Sequence, residues 1–310
     1  MSSAPQAEHA IGIDLGGTRI KTICLRTADG EIVAQDQSET RDGESPSGGT
    51  PAFAESAATT IREYQTRFGI SQPPIGVSAP GLASRDARCI AYMPGRLAGL
   101  ENFDWGEFLG RPGQIPVIND AHAALLGEIS RGAAQGYDDV ILITLGTGVG
   151  GAIVSGGRLL RGAIGRAGHL GHLTTDFRGP ADICGTPGSL EDAIGFCTLE
   201  RRSGGRFHST TELVEAAESG DAAAQEIWET SIRALAASIA SLVNTLDPAA
   251  VIIGGGIAEA GAALFGPLDS ILEEYEWRPA GHRVRVLPAK LGEWAGAVGA
   301  AHLAQNPNDY

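Results

Sequence analysis

The sequence predicts an α/β protein, and three observations carry that reading. Apolar runs end abruptly in glycines, as in AIGIDLGG, ILITLGTG and AVIIGGG, and alternate with stretches whose apolar residues recur every three or four positions. Glycine supplies 44 of 310 residues, about twice the usual ~7%, and it clusters at those strand–loop junctions instead of spreading as low complexity. Two of the openings, IGIDLGG and ILITLGTG, echo each other, which hints at two related halves. The length suits one large or two ordinary domains with a substantial core.

Taken in order, AIGIDLGG (10–17) is the first strand, TRIKTICLRT (18–27) the second and EIVAQDQSE (31–39) the third. The ADG turn separates the last two, so the chain opens as a meander. Residues 41–51 form a polar loop, and from Ala52 the helical spacing runs to a glycine stop at Gly69. PPIGVSAPG (73–81) is a short buried strand entering a turn. IPVINDAHAALLGEISRGA (115–133) passes from strand to helix at Asn119-Asp120, and 138–160 is a hairpin with a glycine turn. Residues 221–246 form the longest helix, followed by a strand, the turn Gly254-Gly255-Gly256 and a new helix.

Composition narrows the function. With 43% hydrophobic and 19% charged residues the chain reads as a soluble globular protein. Its net charge of −14, from 23 basic against 37 acidic residues, leaves no basic face for nucleic acid. The N-terminal MSSAPQAEHA has neither a basic nor an apolar leader region, and no apolar run reaches the ~20 residues that cross a bilayer. The four cysteines, Cys24, Cys89, Cys184 and Cys197, lack disulfide-like spacing, so a reduced, cytoplasmic setting without a membrane partner is expected.

Three glycine loops and one acid carry chemistry. In Asp14-Leu15-Gly16-Gly17-Thr18-Arg19-Ile20-Lys21, bare backbone amides and the Thr18 hydroxyl suit a phosphate, with Lys21 downstream. Asp14 is placed to hold Mg²⁺ through water, since Mg²⁺ keeps much of its hydration shell. Gly146-Thr147-Gly148 offers the same donors, and Gly254, Gly255 and Gly256 open a helix against which a nucleotide could lie. Each loop alone also reads as a plain turn, because glycine supplies positive φ readily. Three in one chain, two with threonine, point to phosphate. Neither a GxxxxGK[ST] loop nor a GxGxxG fingerprint is present. Asp120 stands where a strand hands over to a helix, and two readings remain open there: a general base for an attacking hydroxyl, or a helix cap formed by Asn119 or Asp120.

DLGGTRIK, the APG turn at 79–81, NDAHAA, LGTGVGG, AGHLGH, CGTPGSLE and IIGGG occur in the order and spacing of the ROK family. The chain resembles that family, which holds bacterial sugar kinases (glucokinases, N-acetylhexosamine kinases) and sugar-responsive repressors, over nearly its whole length. The resemblance implies an actin-like ATPase fold of two α/β domains flanking a cleft. Family-like boundaries give a smaller domain at 1–119 plus 297–310 and a larger one at 120–296. It implies that the loops at Asp14 and Leu145 hold ATP phosphates, and that Gly254 to Gly256 lie beside the adenosine. Asp120 becomes the base. Asn119, His172 and Glu191 hold sugar hydroxyls, with the backbone of Pro80 and Gly81 nearby. It further implies ATP and Mg²⁺ as cofactors and a homo-oligomer, dimer or tetramer. The repressors carry a winged helix-turn-helix before the core, for which the ten or so residues before the first strand leave no room.

The chain departs from the family in the segment 165–192. The family's zinc site is a histidine followed by C-x-C-G-x-x-G-C, whereas His172 is followed by Asp182, Cys184 and Ser189. Serine serves tetrahedral zinc poorly, so no structural zinc is expected. The family's Glu-x-Gly-His is here His169-Leu170-Gly171-His172. An imidazole cannot accept two hydroxyls as a carboxylate does, so either His169 recognises a different sugar substituent or it packs away from the sugar. Pro94-Gly95 and His122 also replace the usual residues. The expected function is an ATP-dependent kinase for a hydroxyl, O6 foremost, of a hexose or hexose derivative. A catalytically weak sugar or nucleotide sensor, and a kinase drawing on polyphosphate, are the alternatives.

Overall fold

The structure is a computed structural model that describes residues 8–45 and 49–307. Most of the N-terminal stretch read for a leader (1–7), and 46–48 of the polar loop, lie outside the described residues. The strands are β1 (His9–Leu15), β2 (Arg19–Arg26), β3 (Ile32–Glu39), β4 (Ile75–Ala79), β5 (Leu82–Ala83), β6 (Ile90–Tyr92), β7 (Val117–Asn119), β8 (Val140–Leu145), β9 (Val149–Ser155), β10 (Arg158–Leu159), β11 (Ala250–Gly254) and β12 (Arg285–Pro288). The helices are α1 (Ala52–Phe68), α2 (Trp105–Phe108), α3 (Asp120–Arg131), α4 (Leu190–Ile194), α5 (Leu199–Arg202), α6 (Thr210–Glu218), α7 (Ala222–Leu246), α8 (Ala262–Tyr275) and α9 (Ala295–Gln305).

The chain forms two compact units. The first comprises Met1–Gln135, Arg161–Ala167 and Glu293–Tyr310, and the second Gly136–Leu160 and Gly168–Gly292. These limits differ from the sequence expectation, which cut the chain at 119 and 297. α3 stays with the first unit because it packs on α9, and that packing rests on missing side chains. A Cβ at Gly127 would collide with the Ala295 carbonyl, and one at Gly299 would overlap the Ala123 carbonyl oxygen. The same helix lies against the sheet where Gly12 and Gly76 leave room for the Ala297 and Ala300 carbonyls.

Each unit is built on a five-stranded sheet, and the two sheets share one topology. The orders are β3-β2-β1-β4-β7 and β10-β9-β8-β11-β12. In both, the first three strands are an antiparallel meander and the last two join the first in parallel. The echo of IGIDLGG and ILITLGTG is thus the first strand and turn of each sheet. Ile11, Ile13, Val77, Phe53 and Trp105 centre the first core, while Ile141, Leu145, Ile253, Trp228 and Leu235 centre the second.

Local signals set the element ends. α1 stops at Gly69, which takes the left-handed conformation (φ 67°) that a β-carbon disfavours. α7 starts where the Asp221 side chain accepts the Ala224 amide and runs for 25 residues. Among the described residues no helix is long and apolar enough to cross a membrane.

Candidate active site

In the first unit, β1, β4 and β7 run parallel, so their carboxyl ends share one edge, where open α/β sheets bind ligands. Asp14 and the Asn119-Asp120 pair sit at that edge. Asp14 Oδ1 accepts a 2.7 Å hydrogen bond from Ser78 Oγ, its register partner on β4. The second residue of α9 packs on the same carboxylate: a Cβ at Gly296 would lie 2.7 Å from Asp14 Cγ. Burial raises the Asp14 pKa, the Ser78 hydrogen bond lowers it, the Asp120 charge raises it and Lys21 lowers it, leaving it at about 6. Lys21 pairs with Glu293 at 3.3 Å.

That shift has a consequence for stability. Folding raises the Asp14 pKa, so the folded chain binds this proton more tightly than the unfolded chain. The contribution of Asp14 to stability is therefore highest below about pH 4, falls as pH rises to about 6, and is level above that. Asp14→Asn is expected to stabilise the protein at pH 7.5 by about 2–3 kcal/mol, and to give no gain at pH 4. Thermal melts at the two pH values check it; equal gains at both would refute it.

The first glycine loop turns between β1 and β2, held by Gly16 N–H on the Arg19 carbonyl (2.9 Å) and Thr40 Oγ on the Gly16 carbonyl (2.7 Å). Thr18 is exposed at its tip. Beside it stands Arg96, whose guanidinium a Cβ at Gly17 would strike. Sequence reasoning missed this cation; only the fold brings it to the loop.

Asn119 resolves part of the open question at the strand–helix junction. It is the N-cap of α3: its Oδ1 accepts the Ala121 and His122 amides at 3.0 and 3.2 Å, and its Nδ2 donates to the Gly81 carbonyl at 3.0 Å. Asn119 thus fixes the Pro80-Gly81 turn, and Gly81 (φ 103°) has no room for a side chain against Tyr92 and Ile90. Asp120, the first residue of α3, is exposed, with Oδ1 on the Ala121 amide at 2.8 Å. His122, read as a substrate-side change, is instead buried, with Nε2 3.0 Å from the Ala167 carbonyl. It anchors the segment 161–167.

In the second unit, the loop between β8 and β9 closes with Gly146 N–H on the Gly148 carbonyl (2.9 Å) and exposes Thr147. The third loop lies against the end of β8, since a Cβ at Gly255 would collide with Leu145. It leads into a 3-10 turn (Gly256–Ala260) before α8, not directly into a helix as expected.

His169 precedes, and His172 ends, a 3-10 turn at Leu170–His172 that packs on β9, where a Cβ at Gly171 would strike the Val149 carbonyl. His172 Nδ1 lies 2.8 Å from Asp182 Oδ2, and Cys184 Sγ lies 3.6 Å from His172 Nε2. One ligand atom from each of these three residues lies within 4.8 Å of the others, the one set among the described residues that could hold a metal. Ser189 caps α4, its hydroxyl accepting the Asp192 amide at 3.2 Å, and its side chain also hydrogen-bonds Asp182. Asp182 Oδ1 also accepts the Cys184 and Thr186 amides, at 2.8 and 2.9 Å. Burial pushes Asp182 up, but the hydrogen bonds from His172, Thr186, Ser189 and Cys184 hold it down at about 2. Glu191 Oε2 accepts the Val149 amide at 2.9 Å, a contact invisible in the sequence.

The ROK family profile matches residues 10–307. The chain is 33% identical to a glucokinase of Thermotoga maritima, covering 94% of this chain and 96% of that one. It is also 33% identical to an N-acetylmannosamine kinase of Escherichia fergusonii, covering 95% and 98%. A ROK glucokinase of Streptomyces griseus, solved with glucose and AMPPNP, superposes with a TM-score of 0.75 at 29% identity over 96% of this chain and 99% of that one. The fold is the actin-like ATPase fold.

Proposed function

The chain belongs to the ROK family, and on that premise we propose that it is a carbohydrate kinase moving the γ-phosphoryl group of ATP to a hydroxyl of a hexose or hexose derivative. The observation that carries the reading is the edge of the first sheet. There Asp120 projects from the first position of α3 beside a half-buried, hydrogen-bonded Asp14 and a glycine loop with an exposed Thr18 and a neighbouring Arg96. That inventory is what phosphoryl transfer needs: a base for the attacking oxygen, donors for the phosphate oxygens, and an acid for Mg²⁺.

Asp120 accepts the proton of the sugar hydroxyl, O6 foremost, as its oxygen attacks the γ-phosphorus and the bond to the β-phosphate oxygen breaks. The first unit supplies Gly16, Gly17, Thr18 and Lys21 to the phosphates, and Asp14 to Mg²⁺ through water. Within the second unit, Gly146, Thr147 and Gly148 are assigned to phosphate, and Gly254, Gly255 and Gly256 to adenosine. Glu191, His169 and His172 take the sugar, with Asn119 holding the Pro80-Gly81 backbone in place. Mg²⁺, when bound, neutralises charge on the β- and γ-phosphates.

Relatives at equal identity act, by their names, on glucose and on N-acetylmannosamine, so overall likeness does not select the sugar. ADP release across glucose, mannose, amino, N-acetyl and acidic sugars tests the proposal. Turnover of at least one hexose is expected. Sugar binding by calorimetry without ADP release from any of them would favour a sensor instead.

The 173–189 loop closes on itself, and we read it as independent of zinc. Its Asp182 carboxylate is already filled by protein donors, and the Ser189 hydroxyl, a poor zinc ligand, is engaged by the Asp192 amide and the Asp182 side chain. Protein purified without added metal is expected to carry far less than one zinc per chain, and EDTA to leave its melting temperature unchanged. Stoichiometric zinc by plasma emission spectroscopy would overturn this.

A further inference from the structure

We infer that Glu191 is a positioning residue for the second glycine loop, so that nucleotide binding depends on the same carboxylate that takes the sugar. The inference rests on the proposed assignments of the 145–151 loop to phosphate and Glu191 to sugar. What it adds is the strap that joins them.

The strap is the short segment 189–198, built from α4 and the 3-10 turn after it. Three hydrogen bonds fasten it along the loop. Val149 N–H donates to Glu191 Oε2 at 2.9 Å, Phe196 N–H to the Gly146 carbonyl at 3.0 Å, and Cys197 N–H to the Thr147 carbonyl at 2.8 Å. Every residue from Gly146 to Val149 except Gly148 is therefore tied to it, and Gly148 is in contact as well: a Cβ there would collide with the Glu191 carboxylate. Gly195 allows the same closeness, since its Cβ would stand 2.7 Å from the Glu191 carbonyl and 3.3 Å from that of Thr147.

The other end of the strap is fixed to the histidine side. Leu190 N–H donates to the Leu173 carbonyl at 2.8 Å, Thr174 and Ser189 form an antiparallel bridge, and Ser189 bonds the Asp182 side chain that holds His172. Of these fastenings only Glu191 uses a charged side chain on the loop. A hydrogen bond to a charged acceptor outweighs a neutral one, so its removal should loosen the loop more than any of the backbone ties.

Charge alone predicts the opposite. A carboxylate beside bound phosphates repels them, so if Glu191 only touched sugar, any neutral replacement would leave nucleotide affinity unchanged or improve it. Two variants of nearly the same size separate the effects. Glu191→Gln removes the charge but keeps an oxygen that can accept the Val149 amide; Glu191→Met removes both.

Hydrogen exchange of ligand-free, full-length protein reads the loop directly, and calorimetry with Mg-AMPPNP, without sugar, reads the nucleotide. Glu191→Met is expected to exchange about tenfold faster in the 145–151 peptide and to bind AMPPNP about tenfold more weakly than Glu191→Gln. Glu191→Gln, whose neutral oxygen makes a weaker bond than the carboxylate, is expected to exchange at a rate between wild type and Glu191→Met, and peptides from α7 to exchange alike in all three. Equal protection and equal affinity in Met and Gln variants would overturn the proposal while leaving the kinase reading intact. Failure of the wild-type chain to bind AMPPNP would refute the nucleotide reading and the proposal with it.

Discussion

Asp120→Asn is expected to lower kcat by roughly 10²–10⁴-fold, the span of a positioned general base, while sugar binding stays within a few-fold of wild type. The substitution keeps the size of the side chain and an oxygen that can accept the Ala121 amide, so α3 should still start at the same residue. Asn119, not Asp120, caps that helix, and a melting temperature within a degree or two of wild type follows. Steady-state kinetics on the sugar identified by the panel, with binding followed by calorimetry, checks both halves. A near-normal kcat would remove Asp120 from the role of base. A collapse in stability with lost activity would show that the residue's main work is structural.

Gly299→Ala is expected to be the most damaging single methyl in the first unit. Its Cβ would overlap the Ala123 carbonyl oxygen and press on the Gly127 amide, and neither is the tip of a flexible side chain. Overpacking a core commonly costs 1–3 kcal/mol, and here the helices themselves must part, so a loss of at least about 3 kcal/mol is expected. Gly266→Ala is the control. That glycine lies inside α8 with nothing beyond its chain neighbours within 4 Å of a Cβ; the gain in helix propensity is opposed by the crowding of a Cβ against the following Pro267, so the change should cost far less than Gly299→Ala. Denaturant titration of the two variants decides it: equal effects would mean that the α3–α9 approach tolerates a methyl group.

Much of the fold was legible because its punctuation is local. Gly69 ends α1, Asp221 starts α7, and the two glycine hairpins open their sheets, all through short-range backbone chemistry. The helix cap at Asn119 was legible as one of two readings for the same reason, since cap residues announce themselves by type. What stayed hidden depends on contacts between distant parts of the chain. Arg96 comes beside Gly17, and Glu191 reaches Val149 across 42 residues, with no pattern near either residue to mark it. His122 looked like a substrate-side change because its neighbours belong to a motif, yet its ring turns inward to Ala167. The boundary expected at 119 failed similarly. Glycines at 127 and 299 decide which helix α3 packs on, and a lone glycine within a helix does not reveal its partner.

The place of α9 in the chain has a consequence for how the protein is made. The first sheet emerges from the ribosome before the second unit, but the helix that covers Gly12 and Gly76 is encoded after it. The second unit, apart from 161–167, is meanwhile a single stretch that can fold as it is synthesised. A nascent chain should therefore hold a finished second unit beside a first one whose apolar sheet face still waits for cover. The unit that begins synthesis is the last to be completed, and in that interval it is the part most in need of a chaperone.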